Sequence, residues 1–222
     1  MQTLSEENYL KIIYNLEIKG LKKITPTAIS EALNNNPASV VDMLKKLDEK
    51  GLLEYEKSKG VKLTDIGRNI GIQIVRKHRL WEAFLLEKLG YGWDEVHDIA
   101  EQLEHVQHPT LADKLDEFLG FPKYDPHGDP IPKANGETAA TYKTLLAEVE
   151  EGKTCQVVAV KDTSPAFLQY LKKLNIGIGT VITTLEKISF DNSIIIIAGK
   201  EPQCTVSKIF AENLVVNETS NQ

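Results

Sequence analysis

Between residues 78 and 105 the sequence carries two sets of side chains able to bind a cation. His78 precedes Glu82 by four residues; beyond a Gly90-Tyr91-Gly92 break, His97, Glu101, Glu104 and His105 follow at i, i+4, i+7 and i+8. On an α-helix the last four fall within an arc of about 100°, so their side chains converge on one stripe. Six nitrogen and oxygen donors on two neighbouring helices are the ingredients of a divalent-metal site. The plainer alternative is a pair of helices showing their charged faces to water.

The elements that would carry these groups bear on the choice. From Ile70 to Leu89 the apolar residues run nearly all the way round the helix, the pattern of a helix covered on more than one side. His78 and Glu82 share an arc with Val75, Leu85 and Leu89, which predicts that they are withdrawn from water. A buried carboxylate is costly unless it is paired or bound to a cation. The second helix is less decisive, because its apolar stripe (Val96, Ile99, Leu103, Val106) lies opposite the His/Glu stripe. Catalysis has little support. A di-iron bundle needs Glu-x-x-His on paired helices, whereas Glu101 is followed at +3 by Glu104. No residue is assigned a catalytic role.

The 222 residues suffice for one large or several small domains. No apolar run approaches the roughly 18 to 20 residues of a membrane span, and no signal peptide precedes Met1-Gln2-Thr3, so a soluble cytoplasmic protein with no membrane partner is expected. Two cysteines, Cys155 and Cys204, are too few for a disulfide framework and are not spaced as a zinc clasp. The net charge of −6 is uneven: residues 1–80 hold 14 Lys and Arg against 10 Asp and Glu, leaving 12 against 22 for the remainder. A basic end on an acidic chain favours an anionic partner for that end, weakly at so small an excess.

In chain order, Ser5 is the expected N-cap of a first helix running to Gly20. Thr25-Pro26 and Pro37 start two short helices separated by Asn34-Asn35-Asn36, and Gly51 stops the second. Leu52 to Leu63 then reads as a hairpin with a basic tip, Lys57-Ser58-Lys59-Gly60, and Thr64 caps the long helix. This order is that of a winged helix-turn-helix; the alternative is a three-helix module with a solvated hairpin. A helix near ADKLDEFLG gives way to the Pro- and Gly-rich FPKYDPHGDPIPKANGE, a loop whose Asp125, His127 and Asp129 are metal-competent types but also common turn-formers. From about residue 145 the texture becomes β, with strands expected over 156–160, 180–185, 193–198 and 213–216 and one helix in SPAFLQYLKKLNIGIG, a small barrel with its own core. The closing residues NETSNQ are expected to be disordered.

A winged helix followed by RKHRL, VHD, EHV, DPHGDPIP and a small β-domain resembles the metal-dependent regulators typified by the diphtheria toxin repressor and the manganese transport regulator, over essentially the whole chain. The resemblance implies an α+β multidomain protein: a winged helix-turn-helix DNA-binding domain (1–73), a helical dimerisation and metal-binding domain (74–140) and an SH3-like β-barrel (145–218), similar to the small iron-transport accessory domain. It implies a homodimer that, loaded with Mn2+ or Fe2+ at two sites per protomer, binds a palindromic double-stranded DNA operator and represses metal-uptake genes. His78, Glu82 and His97 correspond to the ancillary metal site, and Glu101, Glu104 and His105, with Asn8, to the primary one. Asn8 stands where relatives carry methionine or aspartate, and Lys11 where manganese-type members carry glutamate. His127 matches a histidine of the second site in some relatives, with Asp125 at a cysteine position and Asp162 as a barrel ligand. For DNA, Asn36, Ala38, Ser39 and Asp42 lead the recognition helix, with Thr27, Lys45, Lys46, Lys57 and Lys59 nearer the phosphates. A winged-helix regulator answering to an organic ligand or a protein is the remaining alternative.

Overall fold

The structure is a computed structural model that describes residues 2–142 and 144–218. Its eight α-helices and seven strands among the described residues fall into two compact units. The first comprises residues 1–81, 100–118 and 132–138, the second residues 82–99, 119–131 and 139–222.

The first unit opens with α1 (Leu4–Ile18). Its N-cap is Thr3 rather than Ser5: the Thr3 hydroxyl accepts from Glu6 N while the Glu6 carboxylate accepts from Thr3 N, a reciprocal capping box. Then α2 (Pro26–Leu33) and α3 (Pro37–Glu49) each begin with proline behind a capping side chain, Thr25 and Asn36. Asn34 takes the left-handed conformation (φ 50°) that turns the chain between them. Strands β1 (Leu53–Glu56) and β2 (Gly60–Leu63) pair antiparallel as the wing, with Val61 N donating to Ile24 O at 2.9 Å. Leu10 and Ile13 of α1, Ile29 of α2, and Val40, Leu44 and Leu47 of α3 form a core closed by Leu53, Leu63 and Val75. The long helix α4 (Asp65–Leu89) starts behind Thr64, whose hydroxyl accepts from Gly67 N at 3.2 Å. Gly67 lets α4 approach the wing, since a Cβ there would lie 1.8 Å from Leu52 O. The expected domain border at residue 73 falls within this unbroken helix. Arg76 of α4 spans Asp113 and Asp116 of α6 (Leu111–Phe118), both at 2.8 Å.

In the second unit a five-stranded antiparallel sheet runs in the order β6-β5-β4-β3-β7. Its strands are β3 (Thr154–Val160), β4 (Val181–Lys187), β5 (Ile194–Ala198), β6 (Cys204–Val206) and β7 (Leu214–Glu218). The three-residue β6 and the helix α8 (Lys208–Glu212) were absent from the sequence reading, being too short to show a period. Helix α7 (Pro165–Lys173) covers the core with Leu168 and Leu171, packed with Cys155, Ile182, Ile196 and Phe210. Asn217 and Glu218, expected to be disordered, close β7; the rest of that tail lies outside the described residues. The β3–β7 register shifts between Val157 and Ala159, and at this bulge Val160 N donates to His127 O at 2.9 Å. The Pro-rich loop is thereby fixed on β3.

Candidate metal centre

In the first unit, α1 faces the end of α5 (Val96–Leu103). The helix stops one residue short of Glu104, so Glu104 and His105 sit in its closing turn; Glu104 N still donates to Ala100 O at 2.9 Å, which holds that turn in helical register. Glu7, Asn8 and Lys11 lie within an arc of about 100° on α1. The Lys11 ammonium donates to Glu101 Oε1 at 2.6 Å and to Glu104 Oε2 and Oε1 at 2.7 and 3.0 Å. His78 Nδ1 meets Glu104 Oε2 at 2.6 Å, and Glu104 is fully buried. His105 Nδ1 meets Glu7 Oε2 at 2.6 Å, and Gln107 donates to the other Glu7 oxygen. A carboxylate on Nδ1 fixes the ring and leaves Nε2, 3.6 Å from Glu104 Oε1, as the acceptor face. The Asn8 Oδ1 atom is buried and has no hydrogen-bond partner. An orphaned amide oxygen on the α1 face whose Glu7 and Lys11 engage His105, Glu101 and Glu104 fits a hard divalent ion.

Glu7 and Lys11 were missing from the ligand set read in the sequence, although their i,i+4 spacing marks a shared face. His78, assigned by resemblance to the ancillary set, is engaged in this unit with Glu104.

The second unit gathers Glu82, Asp125 and His127, all buried, with candidate ligand atoms within 4.8 Å of one another. Glu82 Oε2 lies 3.6 Å from His127 Nδ1, and Glu82 Oε1 3.2 Å from His97 Nδ1. Asp125 serves both readings of its loop: it belongs to the cluster, and its Oδ1 accepts from His127 N at 2.8 Å and Asp129 N at 3.0 Å. His127 Nε2 donates to Trp93 O at 2.9 Å, which turns Nδ1 toward Glu82. Burial works against a charged His127 ring, but the Glu82 and Asp125 carboxylates outweigh it and push its pKa up to about 9. At Gly128 (φ +88°) a Cβ would lie 2.1 Å from Val158 O, so only glycine lets the loop sit this close to the β3 bulge. Asp162 lies outside this group; its Oδ1 accepts from Ser164 N at 2.8 Å and closes the turn ahead of α7.

Of the residues expected at DNA, Thr27, Ala38, Ser39, Asp42, Lys45, Lys57 and Lys59 are exposed. Asn36 is exposed too, but its Oδ1 is used as the α3 cap, accepting from Ala38 N at 2.9 Å. Asp42 and Lys45 pair at 3.8 Å, and Lys59 pairs with Glu56 at 2.8 Å. Lys46 is exposed as well, and with Lys50 it meets the buried Glu6 carboxylate, at 2.8 and 2.7 Å. Burial alone would raise the Glu6 pKa, but the two ammonium groups and the Thr3 amide bring it down to about 2. Among the described residues no helix is long and apolar enough to cross a membrane.

Residues 1–61 match the N-terminal DNA-binding domain of iron-dependent repressors, residues 64–133 their metal-binding and dimerisation domain, and residues 144–218 the FeoA domain. Fold and matches together define a metal-dependent, DNA-binding repressor of transcription, whose partners are double-stranded DNA and a second copy of the chain. The HTH-type transcriptional regulator MntR of Oceanobacillus iheyensis is 40% identical over 126 residues, 56% of this chain and 84% of the relative. The iron-dependent repressor IdeR of Mycobacterium leprae is 31% identical over 207 residues, 88% and 89% of the two chains. A solved manganese-dependent transcriptional repressor in complex with manganese superposes with a TM-score of 0.86 at 32% identity, covering 96% of this chain and all of that one. The chain belongs to the iron-dependent repressor family.

Proposed function

We propose that Asn8, Glu101, Glu104 and His105 hold one divalent ion, Mn2+ or Fe2+, and that Glu82, Asp125 and His127, flanked by His97, hold a second. The first ion licenses binding to a palindromic operator that controls metal uptake. The observation that carries this reading is the buried, unpartnered Asn8 Oδ1 on the helix whose Glu7 orients His105. Both sets consist of oxygen and imidazole donors with no thiolate, which suits manganese and ferrous iron over softer thiophilic ions. A bound ion supplies the positive charge that joins α1 to the end of α5. The protein's own groups do the rest: Glu7 holds the His105 ring, Thr3 and Glu6 cap α1, and Glu6 ties α1 to α3 through Lys46 and Lys50. The position of α1 thus bears on the recognition helix. Half-sites of a dimer's operator lie about one duplex turn apart, so displacement of α3 by a few ångströms prevents both halves from docking.

A ligand that binds only the docked form at a hundredfold excess over its Kd stabilises that form by about 2.7 kcal/mol, enough for a switch. The test is operator binding by chelated protein with Mn2+ or Fe2+ restored in turn, beside Glu104→Ala. Affinity should rise at least tenfold with the cognate ion and stay low in the variant. Equal affinity in chelator and in metal would remove the ion from the mechanism. At the DNA surface, Lys57→Gln with Lys59→Gln should flatten the slope of log K against log salt by up to about 2; an unchanged slope would place the wing outside the interface.

A further inference from the structure

The first cluster contains a residue that a plain ligand set does not call for. Lys11 is buried, and its Nζ lies within 3.0 Å of three carboxylate oxygens, one on Glu101 and both on Glu104. Both oxygens of Glu104 are therefore taken, by a cation that the chain itself supplies. A divalent ion that takes the Glu101 and Glu104 oxygens meets that ammonium already in place. The two cations also cannot share those oxygens, because carboxylate–metal distances are shorter than the N···O distances seen here and the charges repel strongly in a site from which water is largely excluded.

We propose that Lys11 is a tethered competitor for the divalent ion: its ammonium holds the Glu101 and Glu104 oxygens, the ion binds there by displacing it, and Lys11 thereby sets the metal concentration at which the regulator responds. The inference rests on the assignment of Glu101 and Glu104 as ligands made above. It adds a residue whose effect is opposite in sign to theirs, since loss of a ligand weakens metal binding and loss of a competitor strengthens it. The exchange makes and breaks no covalent bond; one positive charge on α1 gives way to two on the ion. Because the competitor is attached to α1, its effective concentration does not vary with conditions in the cell. The set-point is therefore written into the chain. The same contact closes α1 onto the end of α5 when no divalent ion is bound, so Lys11 also stabilises the metal-free protein.

The experiment uses the full chain carrying Glu82→Gln, which silences the second cluster so that Mn2+ titration reports on the first alone. Lys11→Met and Lys11→Gln are compared with this parent for Mn2+ affinity, and by thermal melting in chelator and in saturating Mn2+. Both variants are expected to bind Mn2+ at least about tenfold more tightly, equivalent to about 1.4 kcal/mol. Both should melt below the parent in chelator, with the deficit shrinking or vanishing in Mn2+. A residue that merely supports the fold would lower the melting temperature equally in both conditions and leave metal affinity unchanged or weaker, which overturns the proposal. Lys11→Gln keeps a polar group able to donate to the carboxylates and carries the test if the methionine variant does not fold. Glu104→Ala in the same background separates the two levels of inference. If it binds Mn2+ as the parent does, the ligand assignment is wrong; if it loses Mn2+ while the Lys11 variants match the parent, only the competitor is.

Discussion

Both compact units bury carboxylates, and they differ in the cation that each uses to neutralise them. In the first, Glu6 is met by Lys46 and Lys50, and Glu104 by Lys11. In the second, Glu82 lies between His97 and His127. An ammonium keeps its charge well into the alkaline range, whereas the His127 imidazole, held up to about 9 by its carboxylate neighbours, gives up its proton first. On the proposed assignments the first cluster would exchange its ion against a lysine and the second against a proton. Two sites of similar donor chemistry on one chain should consequently answer to different variables, the first to metal concentration and the second to metal and pH together.

The largest effect should come from Glu104→Ala. Glu104 is fully buried and engages Lys11 and His78, so the variant removes a proposed ligand and leaves the buried Lys11 ammonium with Glu101 alone. A loss of about 3 kcal/mol is expected, read by denaturant unfolding, together with loss of metal-dependent operator binding. His127→Ala should leave operator binding metal-dependent. Equal operator defects in the two variants would erase the distinction between the clusters.

Next is Gly128→Ala. The methyl group meets the Val158 carbonyl at a positive φ, and the loop must lift from β3. This should cost about 2 kcal/mol and carry Asp125 and His127 away from Glu82. Elemental analysis should then show one Mn2+ per protomer where two are proposed for the parent. Retention of both ions would mean that the close seating of this loop is not what builds the second cluster.

How much of this was legible in the sequence depends on whether the signal was local. Thr25-Pro26, Asn34 to Asn36, Gly51 and the basic Lys57-Ser58-Lys59 tip announce caps and turns within a few residues, and the winged helix follows from them. The i, i+4, i+7 and i+8 spacing from His97 likewise put Glu101, Glu104 and His105 on one stripe. What was missed is set by partners distant in the chain. Nothing near Lys11 shows that its ammonium ends on residues 90 and 93 positions later, and nothing near Lys46 shows that it pairs with Glu6 of α1. Thr3 in place of Ser5 as cap is a smaller case: both are good capping residues, and the Glu6 carboxylate that completes the box decides between them.

The imidazole side of the comparison predicts an alkaline effect. His127 carries a folded pKa of about 9 against an ordinary 6.5. Its charged form therefore stabilises the metal-free protein fully below about pH 6.5, and that contribution is lost as the pH rises through about 9. In chelator, stability should fall by on the order of 2 kcal/mol across this window, and His127→Gln should abolish most of the slope. An unchanged slope in the variant would assign the transition to another group.

The ammonium side predicts a smaller effect of opposite sign. Glu6, with a folded pKa of about 2 against 4.5, contributes stability that is present above about pH 4.5 and fades as the pH falls toward 2. Lys46 and Lys50 are both more than 40% exposed, so solvent screening reduces the contribution to about 1 kcal/mol. Glu6→Gln should lower stability by that amount near neutrality and flatten the acid limb of unfolding measured between pH 3 and 5. The same substitution releases Lys46 of α3 and Lys50 at its C-terminal cap. If Glu6 holds them back from the phosphates, log K for non-specific DNA should become steeper in log salt by up to about 2. A flattened acid limb with no change in salt slope would make Glu6 an anchor for α3 alone, with its lysines facing away from the duplex.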